Sequence, residues 1–564
     1  MSHRTKNFIA LTTLAVLIFS SSMAQAQNLR DVFLGKSKVI PPERRFENKV
    51  KMRDGTLLAT LTTLPDGKGP WPVILTRTPY GKETAGLGAA PIDFTSMGYA
   101  HVVQDTRGTG GSEGVFGSFK NEKGDGYDTI AWIGEQPWCD GKIGMFGVSA
   151  SGILANFAAM SHPPKLLCTY VVVAHGCDFR FGSYSGGVFL KDLNERWFKL
   201  LGHPFTDTLR PRLGVYDEEA IGMDMQRHYS DVHIPTFNVC GWYDVFVESG
   251  VENYEGLQKN GSGLAKGNQK LVVGAFGHFP LNGKLSYPKE ASKPDMESVG
   301  RWFDHWLKGK ENGIESEPAV RYFLMGDTVD KSAPGNEWRS TNAWPPKGQT
   351  ETFWLRENGS LDREAPAKES TLSYDSDPRN PVTTLGGNNL FLSRGPMDQR
   401  ETKNRKDVLR FESAPLDAPT AIVGRIFADL LVSTDAADTD FVAKLVDVYP
   451  DGYEALVLDQ PMRLRFREGF DRPQKAEAGK TYPLRINIGT TALVVNKGHR
   501  LALHIQSTNS PRFEPHTNTW EQIEGYEQAK VAHNTVHLGG PKGSRLLIPV
   551  VPITSEKETA KKTE

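Results

Sequence analysis

The sequence predicts an α/β fold on a mostly parallel sheet, followed by a separate all-β domain of the jelly-roll or sandwich type. In the first half, apolar strand-like runs alternate with helical patterns, which is typical of βαβ units. One of these runs ends in a tight small-residue turn that leads directly into a helix. From about residue 352 short strands are separated by Gly, Pro, Asn and Asp, and helix signals nearly vanish.

Size and composition exclude some classes of partner. The chain has 564 residues, too many for one hydrophobic core, so we expect two or three domains. Its 38% apolar and 24% charged residues are ordinary for a globular protein. A formal net charge of −1 gives no electrostatic reason to bind nucleic acid or an anionic membrane, so we expect neither as a partner.

The N-terminus has the pattern of a secretory signal peptide. Arg4 and Lys6 precede an apolar run over residues 8–19 that is too short to span a bilayer, and residues 24–26 (Ala-Gln-Ala) form a small-x-small cleavage site. We therefore assign residues 1–26 to a signal peptide and expect an exported protein, periplasmic or extracellular. No later run is apolar enough for a membrane helix.

The four cysteines are Cys139, Cys168, Cys177 and Cys240. Export would permit disulfides, and four cysteines allow three pairings that the sequence does not distinguish. Three of the four lie in or beside apolar strand-like runs, where buried thiols fit equally well. Because a protein of this size does not need cross-links, we expect no structural disulfide.

The α/β domain is predicted over residues 27–345. Its strand-like runs cover residues 50–64, 72–77, 99–104, 142–148, 168–174, 236–241, 270–274 and 320–325, and its helical patterns cover 125–135, 150–159 and 296–307. The alternation is interrupted by an aromatic, helix-like segment with no strand of its own. We expect this segment, about residues 178–230, to be a helical cap inserted over the sheet edge.

The second domain is predicted over residues 346–553 as a jelly-roll β-sandwich. Its short strands are expected at residues 353–355, 421–431, 441–449, 462–466, 481–488 and 500–507. The charged residues 554–564 are expected to form a disordered tail.

The turn that opens the helix at residue 150 is Gly147-Val148-Ser149-Ala150-Ser151-Gly152. A serine flanked by small residues at a strand-to-helix turn is what a nucleophile elbow requires. The turn is so tight that Gly147 and Ser151 have room for little side chain, and it raises Ser149 above the sheet edge. The alternative is an ordinary loop with no chemical role.

A serine nucleophile needs a base, and the base needs an acid to orient it. In doubly wound hydrolases both follow the serine, acid first, at the ends of later strands. Asp244 follows the strand that ends at Gly241, and His278 follows the strand that ends at Gly274. We therefore predict a Ser149–His278–Asp244 triad.

Three rival residues fit this order less well. His175 lies at a strand end but precedes the acid, and His203 lies in the cap segment. Asp105 precedes the serine and is followed by Arg107, which favours a structural ion pair between them.

The tetrahedral intermediate needs hydrogen-bond donors aimed at its oxyanion. One is expected from the backbone N–H of Ala150, the residue after the nucleophile. The second is expected from the loop Thr78-Pro79-Tyr80-Gly81, where proline has no N–H and the phenol of Tyr80 could donate instead. The spacing is equally compatible with a tyrosine that only packs.

Several motifs occur in order along the chain. They are Arg-Thr-Pro-Tyr-Gly at 77–81, Asp-x-Arg-Gly-x-Gly-x-Ser-x-Gly at 105–114, Gln-Pro-Trp-Cys-x-Gly at 136–141, Gly-x-Ser-x-x-Gly at 147–152, Gly-Trp-Tyr-Asp at 241–244, Val442–Gly452 and Ser510-Pro-Arg-Phe513. From about residue 45 to 553 the chain resembles the cocaine esterase/X-Pro dipeptidyl peptidase family of serine hydrolases. That family also holds the α-amino-acid ester hydrolases and the glutaryl-cephalosporin acylases.

The resemblance implies an α/β-hydrolase core, a helical cap inserted after the nucleophile and a C-terminal jelly roll. It places the nucleophile on Ser149, the acid on Asp244, the base on His278 and the oxyanion tyrosine on Tyr80. The aromatic residue two positions past the acid, which lines the acyl pocket in cocaine esterases, falls on Phe246.

The chain departs from the family where Ala150 replaces the usual tyrosine after the nucleophile. The backbone donor is kept, and we expect a roomier pocket beside the serine. The cap is also short for the family, so its substrate contacts are not carried over. Trp242 and Phe279, next to the predicted acid and base, are expected to add aromatic lining to the pocket.

We therefore predict a secreted serine hydrolase that cleaves carboxylic esters or amides of neutral acyl groups through an acyl-enzyme. Alternatives are an X-Pro dipeptidyl peptidase, a β-lactam or glutaryl acylase, and an inactive hydrolase scaffold that acts as a binding module. No metal or organic cofactor is expected, because the turn at Asp435–Asp440 lacks calcium-binding spacing. The expected partners are small-molecule ester, amide or short-peptide substrates, and a homo-oligomer is compatible with the sequence.

Overall fold

A computed structural model describes residues 41, 43–84, 92–203, 214–521, 525–540 and 542–553. The predicted signal peptide (1–26) and the predicted tail (554–564) lie outside the described residues.

The first half of the chain forms one sheet with helices around it. Its strands are β1 (Arg45–Lys51), β2 (Leu57–Thr63), β3 (Trp71–Thr78), β4 (Ala100–Asp105), β5 (Cys139–Val148), β6 (Leu166–Val172), β7 (Tyr184–Ser185), β8 (Val188–Phe189), β9 (Thr236–Tyr243), β10 (Lys270–Gly277), β11 (Val320–Leu324) and β12 (Glu337–Thr341). Its α-helices are α1 (Glu122–Gly134), α2 (Ala150–Met160), α3 (Lys191–Leu200), α4 (Glu218–Gly222), α5 (Val247–Asn260) and α6 (Ser298–Lys308).

The sheet has the order β1-β2-β4-β3-β5-β6-β9-β10-β11-β12. Every neighbouring pair from β4 to β11 is parallel, whereas β2 runs antiparallel to β4 and β12 runs antiparallel to β11. All residues of β9 and β10 are buried, as expected for strands covered by protein on both faces. The predicted mostly parallel sheet is confirmed.

The cap segment differs from its prediction, because it contains a β-hairpin. Strands β7 and β8 pair antiparallel across a two-residue turn, Gly186-Gly187. Both glycines have positive φ (54° and 78°), a conformation that two-residue hairpins require and that glycine adopts without steric cost. The prediction of a segment without strands was therefore wrong, although a Gly-Gly turn signal was present.

The second half is an all-β domain. Its strands are β13 (Gln349–Leu355), β14 (Ser360–Asp362), β15 (Ser370–Ser376), β16 (Leu409–Ser413), β17 (Thr420–Thr434), β18 (Asp440–Val448), β19 (Glu454–Arg463), β20 (Tyr482–Val495), β21 (Arg500–Gln506), β22 (Ala532–Leu538) and β23 (Arg545–Val551). They order as β15-β22-β17-β23-β13-β14-β16-β21-β18-β19, with β20 paired to β17.

One predicted strand in this domain is wrong. Residues 462–463 end β19, and Leu464–Phe466 forms a 3₁₀ turn. Most of β19 was not predicted, and the strand contains Pro461. Since β19 lies at the edge of its sheet, a residue without an N–H is tolerated there.

Helix α5 joins the two halves of the fold. Glu248, in its first turn, is 7% exposed and accepts hydrogen bonds from Arg425 of β17 and, at 3.0 Å, from Asn487 of β20. Arg425 also donates, at 2.9 Å, to Glu255, which lies about two helical turns after Glu248. These bonds hold the segment that follows Asp244 against the all-β domain.

Two further features concern the described residues as a whole. Among them, no helix is long and apolar enough to cross a bilayer, and no group of three or more His, Cys, Asp or Glu could hold a metal. All four cysteines are described, and each is a free thiol; Cys168, Cys177 and Cys240 are buried.

Candidate active site

Ser149 occupies a sharp turn between β5 and α2. Its φ of 55° and ψ of −126° lie outside the regions that a serine prefers, and its N–H donates to the Val172 carbonyl at 2.9 Å. A Cβ on Gly147 would lie 2.2 Å from the backbone of Ser151, so only glycine fits there. Since all eleven residues of α2 are buried, the helix fixes the turn from the other side.

The structure brings the three predicted triad side chains together. His278 follows β10, and its Nε2 lies 2.8 Å from Ser149 Oγ. The other ring nitrogen, Nδ1, lies 2.6 Å from Oδ2 of Asp244, which follows β9. The histidine thus bridges the serine and the carboxylate, as a base held by an acid must.

The carboxylate of Asp244 is fully buried and held on both oxygens. Oδ1 accepts the backbone N–H of Phe246 at 2.8 Å, which leaves Oδ2 for His278. Asn388 of the all-β domain donates to the carbonyls of Trp242 and Asp244 at 3.1 and 2.9 Å. The loop that carries the acid is therefore fixed by a side chain 144 residues further along the chain.

Tyr80 is placed to donate to an oxyanion beside Ser149. Its backbone N–H is bound to Thr78 Oγ1 at 3.1 Å, whereas its hydroxyl contacts the Ser149 side chain and accepts the indole N–H of Trp197 at 3.0 Å. Burial raises the pKa of Tyr80, and the bonds to Trp197 and Ser149 oppose that rise. The phenol therefore keeps its proton at neutral pH, and in the bond to Trp197 its oxygen is the acceptor.

Ala150 supplies the other predicted donor position. It is the first residue of α2, where backbone N–H groups have no acceptor within the helix. Its N–H and the Tyr80 hydroxyl are thus the two donors that adjoin Ser149.

A narrow cavity of about 30 Å³ opens beside Ser149. Its walls come from the α/β sheet, the cap and the all-β domain. The lining residues are Ser118, Phe119, Ser149, Ala150, Ile153, His175, Asp178, Gly182, Leu193, Asn194, Trp197, Phe246 and Leu390.

The three predicted pocket aromatics lie in three different places. Phe246 is buried in the cavity wall, with its ring 5.8 Å from that of His278. Phe279 is half exposed at the entrance, between His278 at 5.7 Å and the guanidinium of Arg394 at 5.4 Å. It therefore borders the site without lining the cavity.

Trp242 does not line the pocket, and that prediction was wrong. It is 1% exposed, its indole N–H donates to the Phe323 carbonyl at 2.8 Å, and its ring packs 5.7 Å from that of Trp344. Trp242 still belongs to the fully buried strand β9, whereas Asp244 lies beyond its end, so closeness in sequence says little about the pocket.

The rival histidines take other roles. His175 lies in the cavity wall, where its Nδ1 bonds to none of the described residues. The ring of His203 stacks on Phe116 at 4.4 Å.

Asp105 is structural, but its partner differs from the predicted one. It accepts the backbone N–H groups of Lys82 and, at 2.8 Å, of Gly111. Arg107 instead pairs with Asp125 at 2.7 Å, so the expected Asp105–Arg107 pair is wrong.

Sequence reasoning did not find Trp197, Asn388 or Leu390. Trp197 lies in the cap, and the other two lie in the loop between β15 and β16. None belongs to a local motif with a chemical meaning. Their roles arise only when distant segments fold against the sheet.

Comparison with known proteins identifies the family of this chain. The sequence pattern of the X-Pro dipeptidyl-peptidase (S15) family matches residues 54–220, and that of the X-Pro dipeptidyl-peptidase C-terminal non-catalytic domain matches residues 312–547. Cocaine esterase from Rhodococcus sp. (strain MB1 Bresler) is 31% identical over 89% of this chain and 97% of its own length.

Solved structures share the fold. An aminopeptidase from the marine sediment archaeon Thaumarchaeota archaeon aligns with a TM-score of 0.74 at 22% identity, covering 92% of this chain and 100% of its own. An α-amino acid ester hydrolase aligns with a TM-score of 0.73 at 22% identity, covering 92% and 99%. The chain therefore belongs to the cocaine esterase/X-Pro dipeptidyl-peptidase (S15) family and is a serine hydrolase with esterase or peptidase activity.

Proposed function

We propose that this protein is a serine esterase that cleaves esters of neutral acyl groups through an acyl-enzyme formed on Ser149. The observation that carries the proposal is the position of His278, within hydrogen-bond distance of both Ser149 Oγ and Asp244 Oδ2. The cavity beside the serine supports acylation, since it gives the acyl chain a place to bind.

In the first half-reaction Ser149 Oγ attacks the ester carbonyl carbon while His278 Nε2 takes the hydroxyl proton. Asp244 holds the imidazole in the tautomer that has a free Nε2 and stabilises the imidazolium that forms. The Ala150 N–H and the Tyr80 hydroxyl stabilise the oxyanion. Collapse of the intermediate expels the alcohol, which takes the proton from His278, and water then repeats the sequence to release the acid.

The preference for a neutral acyl group is supported by the state of Glu248. A substrate ammonium in a buried site needs a carboxylate beside it. Glu248 is the first acidic residue after Asp244, and it is already bonded to Arg425 and Asn487. Burial alone would raise the pKa of Glu248, but Arg425 and Asn487 outweigh burial and lower it. Arg425 thus compensates the charge of Glu248 without a substrate, and Glu248 is not among the residues that line the cavity. The acid that does line it, Asp178, accepts the Ser183 hydroxyl at 3.1 Å.

A substrate panel tests the proposal. Phenyl acetate, an aryl butyrate, a benzoate ester, a glutaryl anilide and an Ala-Pro anilide are assayed side by side on the mature enzyme. We expect kcat/KM for the neutral esters to exceed that for both anilides. If Ala-Pro anilide is cleaved best, the protein is an X-Pro dipeptidyl peptidase and the esterase proposal fails.

We also propose that the protein is exported, on the strength of the pattern at residues 1–26. Expression of the full chain in a Gram-negative host, followed by N-terminal sequencing of the active fraction, tests this. Activity in the periplasm with a new N-terminus at Gln27 is the expected result, and activity confined to the cytoplasm with an uncut N-terminus would overturn it.

A further inference from the structure

One end of the cavity, defined by His175, Gly182 and Asn194, carries a buried histidine that the proposed mechanism does not use. His175 is 1% exposed, and its ring is surrounded by Phe246, Phe119 and Phe157 at centroid distances of 5.0, 5.8 and 6.3 Å. Its Nδ1 is buried and bonds to none of the described residues. An unpaired polar atom among phenyl rings costs free energy unless something binds to it.

Gly182 packs directly against this ring. A Cβ on Gly182 would lie 2.7 Å from His175 Nε2 and 2.6 Å from Asp178 Oδ1, so only glycine fits beside these two polar atoms, and all three residues line the cavity. Asn194 borders the cavity as well and is 5% exposed. Its amide nitrogen donates to the carbonyls of Gly182 at 3.1 Å and Leu190 at 2.9 Å. Its amide oxygen is therefore the group that it can offer to a bound molecule.

Two of these groups, His175 and Asn194, suit an uncharged polar ligand. Burial lowers the pKa of His175 to about 3, so the imidazole is neutral at pH 7 and offers one N–H donor and one nitrogen acceptor. Asp178 also lines the cavity and accepts the Ser183 hydroxyl at 3.1 Å, so an amino group is the alternative ligand that the test must separate from a hydroxyl. A buried ammonium costs far more to desolvate than a hydroxyl, and the cavity of about 30 Å³ admits only a short chain.

We propose that this end of the cavity binds a hydroxyl group on the acyl chain of the substrate. The preferred acyl group is then a short hydroxyacyl chain, with its carbonyl at Ser149 and its hydroxyl between His175 and Asn194. A hydroxyl can accept the N–H of His175 and donate to the oxygen of Asn194 at once. The inference rests on the esterase function proposed above and adds the substrate class.

The test compares methyl butanoate with methyl 2-hydroxybutanoate, both enantiomers of methyl 3-hydroxybutanoate, and methyl 3-aminobutanoate, with acid release followed by pH-stat. We expect the best hydroxy ester to exceed methyl butanoate in kcat/KM by about tenfold or more, the size of one net hydrogen bond. His175→Phe keeps a ring among the phenyl groups and removes both nitrogens. The ratio of kcat/KM for the best hydroxy ester to kcat/KM for methyl butanoate should therefore fall to about one.

Two further variants test the preference for a hydroxyacyl group if His175→Phe folds poorly. Gly182→Ala forces a methyl group against His175 Nε2 and Asp178 Oδ1, which must then shift, and should reduce the ratio. Ile153→Val removes a methyl group from the same cavity without touching a polar group, so it should leave the ratio unchanged. Fluorophosphonate labelling of Ser149 shows that each variant is folded around the nucleophile.

The outcomes separate this inference from the proposed function. Ester cleavage with no preference for any hydroxy ester, or with the amino ester best, overturns the hydroxyacyl assignment and leaves the esterase intact. The absence of cleavage of every ester, including phenyl acetate, overturns both.

Discussion

The two ends of the cavity beside Ser149 are assembled from different parts of the chain. At the reacting end, Ser149, Asp244 and His278 each follow a strand of one parallel sheet, so their spacing is set by the register of β5, β9 and β10. The far end, meaning the walls that the cap and the all-β domain contribute, contains Trp197 of helix α3 and Leu390.

This difference separates chemistry from selectivity. The carboxyl ends of parallel strands meet at one edge of a sheet, so a reaction centre built there depends on the most buried part of the fold. Groups delivered by the cap and the second domain depend on how those segments dock. We expect substitutions at the reacting end to change kcat strongly and those at the far end to change substrate preference or the placement of a donor.

The largest effect is expected for Ser149→Ala. Loss of the nucleophile of a serine hydrolase typically lowers kcat by about 10⁶, and covalent labelling by a fluorophosphonate should disappear. The fold should persist, because small residues suit the elbow. Ser151→Ala is the matched control two positions on, where labelling should be retained. Loss of activity in Ser151→Ala alone would show that the elbow has been misassigned.

A smaller effect is expected for Tyr80→Phe, which keeps the ring and removes the hydroxyl. The loss of one oxyanion donor typically lowers kcat by about 10²–10³. KM for phenyl acetate should change little, because the oxyanion exists only near the transition state. A variant with nearly normal kcat would assign Tyr80 to packing alone.

Trp197→Phe tests the far end through the same donor. The indole N–H donates to the Tyr80 hydroxyl at 3.0 Å, and the ring stacks on Phe119 at 5.5 Å, so phenylalanine keeps an aromatic ring and removes the bond. Losing one neutral hydrogen bond should lower kcat by about tenfold. Circular dichroism and labelling of Ser149 check the fold.

A double-mutant cycle separates positioning from packing at Trp197. In the Tyr80→Phe background there is no hydroxyl to orient, so the added Trp197→Phe should have almost no effect on kcat. Equal, additive losses in both backgrounds would mean that Trp197 acts through the acyl cavity instead.

The contrast between the two ends also explains what the sequence could predict. Ser149, Asp244 and His278 follow from a rule about strand ends and chain order, and the structure brings them together. Trp242 lies close to the acid in sequence but packs in the core, because it belongs to the buried strand β9 and Asp244 lies beyond its end. The strand-end rule therefore predicted the triad positions, whereas of these two aromatic residues near the acid Phe246 lines the cavity and Trp242 does not.

The groups that sequence reasoning missed share a physical cause. Asn388 contacts the carbonyl of Asp244 from 144 residues away, and His175 becomes a cavity residue only when the cap folds over it. No period or motif encodes such contacts, since they depend on the packing of whole segments. The Gly186-Gly187 hairpin is a different case, because its turn signal was visible in the sequence.

The smallest effect on catalysis is expected for Glu248→Gln, which tests whether this carboxylate stabilises the fold or binds the substrate. The variant keeps the shape of the side chain and removes its charge from Arg425. Breaking a partly buried pair in this way should lower the free energy of unfolding by about 1–3 kcal/mol at pH 7, measured by urea denaturation. The order of preference across the substrate panel should not change.

The pH dependence of the difference in free energy of unfolding between the parent and Glu248→Gln gives an independent check. The folded pKa of Glu248 lies below its ordinary value, because Arg425 and Asn487 outweigh burial. Its contribution to stability is therefore fully present above the unfolded pKa of about 4.3 and is lost as pH falls through the folded pKa. The gap between the parent and Glu248→Gln should be constant from pH 8 to 6 and close below pH 4. If instead the variant is equally stable at pH 7 and loses cleavage of amino-acyl substrates, Glu248 serves the far end of the cavity, and the two ends are less separate than their contacts indicate.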